Sequence, residues 1–149
     1  MFIQILFAVL ATFCFGIIFN IRGKNIIFSA IVGGISWGTY LFSLELSTSI
    51  IFAYFASSVV LTICSEVSAK LLKTPVTSIL ISGLIPLVPG SGIYYTMYYI
   101  LEKDIENALS KGTETLFIAL ALSFGIVVIS SIVRILKTGQ KNRHSRKTF

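Results

Sequence analysis

Charged side chains are missing from four long stretches of this chain, residues 2–21, 25–44, 46–65 and 74–100, and a fifth, 115–133, follows them. Each is close to the length that a helix of about 20 residues needs to cross some 30 Å of hydrocarbon. Charged residues make up 12% of the whole and hydrophobic ones 55%, whereas a water-soluble domain carries roughly 25% charge. The pattern excludes an ordinary soluble globule and implies an all-α integral membrane protein with about five transmembrane helices. The expected spans are 2–20, 26–44, 50–69, 76–101 and 115–136, forming one transmembrane domain over 1–137. Residues 138–149 read as a basic cytoplasmic tail, expected to be disordered.

The start lacks a basic n-region and a small-x-small cleavage site, and Arg22 and Lys24 follow as a positive stop, so the first segment is read as a spanning helix and not a signal peptide. Cys14 and Cys64 lie inside apolar segments, where cysteine behaves as a small hydrophobe. Neither a disulfide nor a metal site is expected from them.

Placement of charge sets the expected topology. Arg22 and Lys24 follow the first segment, Lys70 and Lys73 the third, and Arg134, Lys137, Lys141, Arg143, Arg146 and Lys147 the last. The other two connections hold only Lys103 and Lys111 as cations, beside Glu45, Glu102, Asp104, Glu106 and Glu114. Basic residues favour the cytoplasmic side, so the N-terminus is expected outside and the C-terminus inside. A re-entrant fourth segment would put the basic tail outside, which argues that this segment crosses.

That fourth segment is interrupted. Residues 83–92 read Gly-Leu-Ile-Pro-Leu-Val-Pro-Gly-Ser-Gly, a Pro-x-x-Pro-Gly break near the middle of an apolar run. Proline removes a donor and clashes with the carbonyl four residues earlier, so Pro86 disturbs Ser82 and Pro89 disturbs Ile85. In hydrocarbon such groups need protein or a watery cavity around them. Amides of Gly90, Ser91 and Gly92 at the start of a second half-helix would suit a carboxylate, with Ser91 as its cap. The loosened carbonyls would suit an ammonium group or cation. Broken helices at the midplane recur in secondary transporters; a proline kink that only shapes packing is the other reading.

Tyr94, Tyr95, Tyr98 and Tyr99 follow the break. Tyr98 and Tyr99 suit an interfacial anchor, while Tyr94 and Tyr95 are candidates to hydrogen-bond a substrate. Trp37 and Tyr40 read as packing or interfacial residues. Glu66 is the acid set deepest among apolar residues, a candidate for ion coupling; an interfacial pair with Lys70, four residues on, is the plainer reading. Ala30, Gly34 and Gly38, with Gly33 beside them, and the pairs Ala53/Ser57, Ala119/Ser123 and Ala121/Gly125 form small-residue faces for close helix packing. Residues 102–113 suggest a short surface helix ending near Gly112, with Thr113 capping the last span.

No enzyme site is legible. His144 is the only histidine and lies in the tail; no Walker loop, dinucleotide fingerprint or metal-spaced acid pair occurs. No cofactor, metal or nucleic acid is expected. The tail suits anionic lipid or simple cytoplasmic retention.

Residues 85–97, Ile-Pro-Leu-Val-Pro-Gly-Ser-Gly-Ile-Tyr-Tyr-Thr-Met, resemble the Pro-x-x-Pro-Gly-x-x-x-Tyr signature of the threonine/serine exporter family. Residues 33–38, Gly-Gly-Ile-Ser-Trp-Gly, and 15–20, Phe-Gly-Ile-Ile-Phe-Asn, are also similar to that family. The likeness is to its smaller carboxy-terminal membrane module, with Pro86, Pro89, Gly90 and Tyr94 on the signature. It implies export of threonine and serine or of a dicarboxylate such as succinate, coupled to the proton motive force in the amino-acid exporters. It further implies a separately encoded larger subunit as partner. The alternatives are an accessory membrane subunit that stabilises a partner transporter, and a small homo-oligomer.

Overall fold

A computed structural model describes residues 1–47 and 49–145. The described residues contain no strand. Helix α1 is Phe2–Ile18, α2 Lys24–Leu46, α3 Ile50–Leu72, α4 Val76–Leu84, α5 Gly90–Leu101 and α6 Ile105–Ser145, with a 3₁₀ turn, Ile85–Leu87, between α4 and α5. Local chemistry sets most of these ends. Asn20 and Gly23 take left-handed backbone between α1 and α2. The Ser49 hydroxyl accepts the Phe52 amide at the start of α3, and Lys73, in the left-handed region, ends it. Pro75 stands immediately before α4.

Helices α2, α3 and the 105–137 part of α6 are long and apolar enough to cross a bilayer. A fourth crossing results if α4 and α5, bent by 50° to one another, form one span. Helix α1 has 17 residues, about 26 Å by the helical rise, a little short of the usual length.

The last helix differs from expectation at both ends. Residues 105–113 belong to α6 itself, and Asp104, not Thr113, caps it: its Oδ1 accepts the Asn107 amide at 3.2 Å. The Thr113 hydroxyl instead donates to the Ser110 carbonyl. A lone glycine such as Gly112 costs a helix only about 1 kcal/mol and does not end it. Gly112 also sits against Thr96, where a β-carbon would lie 3.3 Å from Cγ2. At the other end α6 continues to Ser145, so residues 138–145 are helical where disorder was expected. No proline follows Pro89, and Lys, Gln and Arg are good helix formers. Residues 146–149 lie outside the described residues.

Packing depends on small side chains. Gly33 receives Thr12 and Gly34 receives Val9, seating α1 on α2; Gly125 receives Ser58, seating α6 on α3. Ala53 is fully buried. Ser123, by contrast, is exposed and its hydroxyl bonds back to Ala119, so that pair of α6 faces away from the bundle. The interior mixes Val32, Leu61, Ile79, Leu87, Ile118 and Leu122 with buried hydroxyls at Thr12, Ser29, Ser36, Ser57, Ser58, Thr62, Ser65 and Ser82. Four of these eight hydroxyls bond a carbonyl four residues back: Thr12 to Ala8, Ser36 to Val32, Thr62 to Ser58 and Ser82 to Ser78. Others tie helices together: Ser57 donates to the Ser36 carbonyl at 2.6 Å, and Ser29 meets Ser82. Outside, Phe2, Leu6, Phe7, Ile17, Leu109, Leu120 and Phe124 are broadly exposed. Small and polar inside, large and apolar outside, is the arrangement of helices whose solvent is lipid.

Two contacts orient the ends. Asn25 Nδ2 donates to Thr74 Oγ1 at 3.2 Å, bringing the Arg22/Lys24 turn beside the Lys70/Lys73 turn. Lys137 Nζ lies 2.8 Å from Glu66 Oε2, which adds the end of α6 to the same pole. The basic connections thus share one end of the bundle.

Candidate functional site

At the interruption the chain repairs itself more fully than its prolines suggest. The Ser82 carbonyl, which loses its partner at Pro86, accepts the Ile85 amide. The Ile85 carbonyl, which loses its partner at Pro89, accepts the Val88 amide at 3.2 Å. Both bonds are of the 3₁₀ kind, three residues apart. The expectation of free carbonyls for an ammonium group is therefore corrected: tightening to a 3₁₀ turn consumes them.

The amides are another matter. Helix α5 starts at Gly90 with Pro89 before it, and no side chain caps it. Ser91 therefore lies inside the first turn and is not the cap. The Gly90 amide donates to the Val88 carbonyl at 2.7 Å, and Ile93 donates to Pro89. Ser91 and Gly92 supply the remaining first-turn amides, which have no carbonyl within their own helix to receive them.

Both residues line a cleft of about 510 Å³ at the pole opposite the basic turns, together with Tyr40, Tyr54, Pro89, Tyr95, Tyr99, Lys111, Glu114 and Thr115. The volume lies in the usual range for small-molecule sites. Ile118 forms part of its wall and joins Leu61, Leu87 and Leu122 in the apolar core, which closes the cleft toward the basic pole. Tyr40 and Tyr54 stack with ring centres 4.6 Å apart. Lys111 Nζ and Glu114 Oε2 are 2.7 Å apart, so one cation and one carboxylate stand together at the edge. The Thr115 hydroxyl donates to the Lys111 carbonyl at 2.7 Å and rests against Gly92.

Of the residues singled out in the sequence, Ser91, Gly92, Tyr95 and Pro89 meet in this cleft. Gly90 and Pro86 do not line it. Tyr94 is 64% exposed and also lies outside the lining; its ring stands edge-on to Tyr95 at 5.4 Å. Glu66 is at the opposite pole, paired with Lys137 across the α3/α6 contact and not with Lys70. The sequence reading takes Tyr40 as a packing or interfacial residue, Lys111 and Glu114 only as charges of a connection, and does not single out Tyr54 or Thr115. Tyr40 and Tyr54 belong to different helices, and no local spacing connects them to the break. The pairing of Lys111 with Glu114 was visible as an i, i+3 spacing, though not where it pointed. Among the described residues no group of His, Cys, Asp and Glu is clustered to hold a metal ion.

A helical bundle with polar interior contacts, an apolar outer surface and three to four helices fit to cross a bilayer describes a multi-pass membrane protein. The chain belongs to the family described as Threonine/Serine exporter, ThrE, whose model matches residues 4–132. That span takes in nearly all of α1, all of α2 to α5 and most of α6, with the whole cleft. Neither a curated protein nor a solved structure matches the chain.

Proposed function

We propose that this chain is the membrane subunit of a two-component exporter, in which a small neutral amino acid such as threonine or serine enters or leaves through the tyrosine-lined cleft. The observation that carries the reading is the meeting, in one cleft, of Ser91 and Gly92 of the first turn of α5 with the Lys111–Glu114 pair. Amides and ammonium would face a carboxylate, while Glu114 and the tyrosine hydroxyls would face an α-ammonium and a side-chain hydroxyl. The balanced charge favours a zwitterion over a dicarboxylate. Helix α1 is taken as a spanning helix and α4 with α5 as one broken span, which gives five crossings with the N-terminus outside and the basic pole cytoplasmic. A larger subunit is the proposed partner, and the proton motive force is the proposed drive.

A second reading, an accessory subunit that stabilises a transporting partner, draws support from α5, which buries none of its residues and exposes Ile93, Tyr94, Met97 and Leu101. One assay separates the two. Labelled threonine, serine and succinate are followed out of cells expressing this chain, the larger subunit, or both. Export needing both chains, with Tyr95→Phe and Lys111→Gln lowering it at unchanged membrane levels, supports the transport reading. Export by the larger subunit alone, indifferent to those substitutions, supports the accessory one.

A further inference from the structure

At the basic pole a second groove, of about 270 Å³, runs between α3 and α6 and is lined by Ile63, Glu66, Val67, Lys70, Val133, Leu136 and Lys137. Its floor is aliphatic and its mouth carries two ammonium groups against one carboxylate. Glu66 is the less exposed member of the ion pair, with 14% of its side chain exposed, whereas Lys137 keeps 57% exposed. The carboxylate thus holds the lysine at the mouth while leaving most of that side chain accessible. An ammonium has three N–H donors, and the pair with Glu66 occupies one of them. Lys70 is exposed on the same rim. The groove lies where the charge-free interval of α3 ends, which in a spanning helix is the level of lipid headgroups.

We propose that this groove is a binding site for one anionic phospholipid, its phosphate on Lys70 and Lys137 and an acyl chain along Val67, Val133 and Leu136. Charge complementarity selects an anionic head, because the lining is net positive. The aliphatic floor selects a lipid over a free phosphate, which would leave that surface uncovered. Basic pockets between membrane helices commonly hold such headgroups. The site is separate from the tyrosine cleft, and it stands on the membrane character of the chain and not on the proposed solute.

Native mass spectrometry of the full chain in detergent tests the proposal, with phosphatidylglycerol or phosphatidylcholine added at equal mole fraction. One phosphatidylglycerol retained per chain, and not displaced by soluble glycerophosphoglycerol, is the expected result. Lys70→Gln/Lys137→Gln should weaken retention about thirtyfold, the two lysines being taken at their surface value. Lys24→Gln/Lys103→Gln removes the same charge elsewhere and should leave it intact, and Lys70→Arg/Lys137→Arg should preserve it. Equal retention of phosphatidylcholine overturns the proposal. So does equal weakening by the two glutamine pairs, or displacement by the soluble headgroup.

Discussion

Gly92 stands where the cleft, the interruption and the α5/α6 contact coincide, and replacing it with alanine probes all three. A β-carbon built there would lie 3.2 Å from both Cβ and Cγ2 of Thr115 and closer still to its hydroxyl. Thr115 cannot yield easily: a β-branched side chain has few rotamers in a helix, and its hydroxyl is engaged with the Lys111 carbonyl at 2.7 Å. Overpacking of this kind costs about 1–3 kcal/mol. Alanine also favours helix over glycine by about 0.5–1 kcal/mol. With the middle of each range the net loss is about 1.25 kcal/mol, a shift of about 8-fold in the docking of α5 on α6. Amide hydrogen exchange across α5, in detergent, reads that ratio directly. The double variant Gly92→Ala/Thr115→Ala removes Oγ1 and Cγ2, leaves only the 3.2 Å contact to Cβ and keeps the helix gain, so α5 should recover most of the parent's protection. If Gly92→Ala exchanges like the parent, or if the second substitution fails to restore protection, the contact between Gly92 and Thr115 does not hold α5 in place.

Pro86→Ala/Pro89→Ala should restore ordinary i to i−4 bonding across residues 82–89, straighten the 50° bend and raise the helical circular-dichroism signal. Export should fall with insertion intact; unchanged export would remove the interruption from the mechanism. Glu66→Gln breaks the pair with Lys137 and should lower the melting stability by no more than about 1 kcal/mol, since the pair lies at a water-accessible edge; a collapse of the fold would show a deeper role. The Asp104 carboxyl is held below its ordinary range by hydrogen bonds from the Asn107 side chain and backbone. Its contribution to the start of α6 is therefore complete above the ordinary aspartate range and is lost as pH falls through the lowered value. Exchange of the first-turn amides of α6 should accelerate only at that acid end, and Asp104→Asn should flatten the profile.

Several properties of this chain are local, and these were legible without coordinates. Apolar length and the gaps between charges marked the helices, because a bilayer rewards each segment for its own hydrophobicity. The two prolines fall where a 3₁₀ turn lies between α4 and α5, because a proline acts on its own turn. The small residues at Gly33, Gly34 and Gly125 marked close packing, because only backbone approach needs them. Rotation of each helix about its axis is not local. In segments that are apolar nearly all round, no polar face declares which side turns inward, so nothing in the spacing showed that Tyr40, Tyr54, Lys111, Glu114 and Thr115 would converge on Ser91 and Gly92. The partner of Glu66 was misassigned for the same reason, a helix neighbour being visible in the sequence and Lys137 on α6 not. Tertiary structure also decided the fate of the carbonyls at the break, since a turn of 3₁₀ helix consumed them.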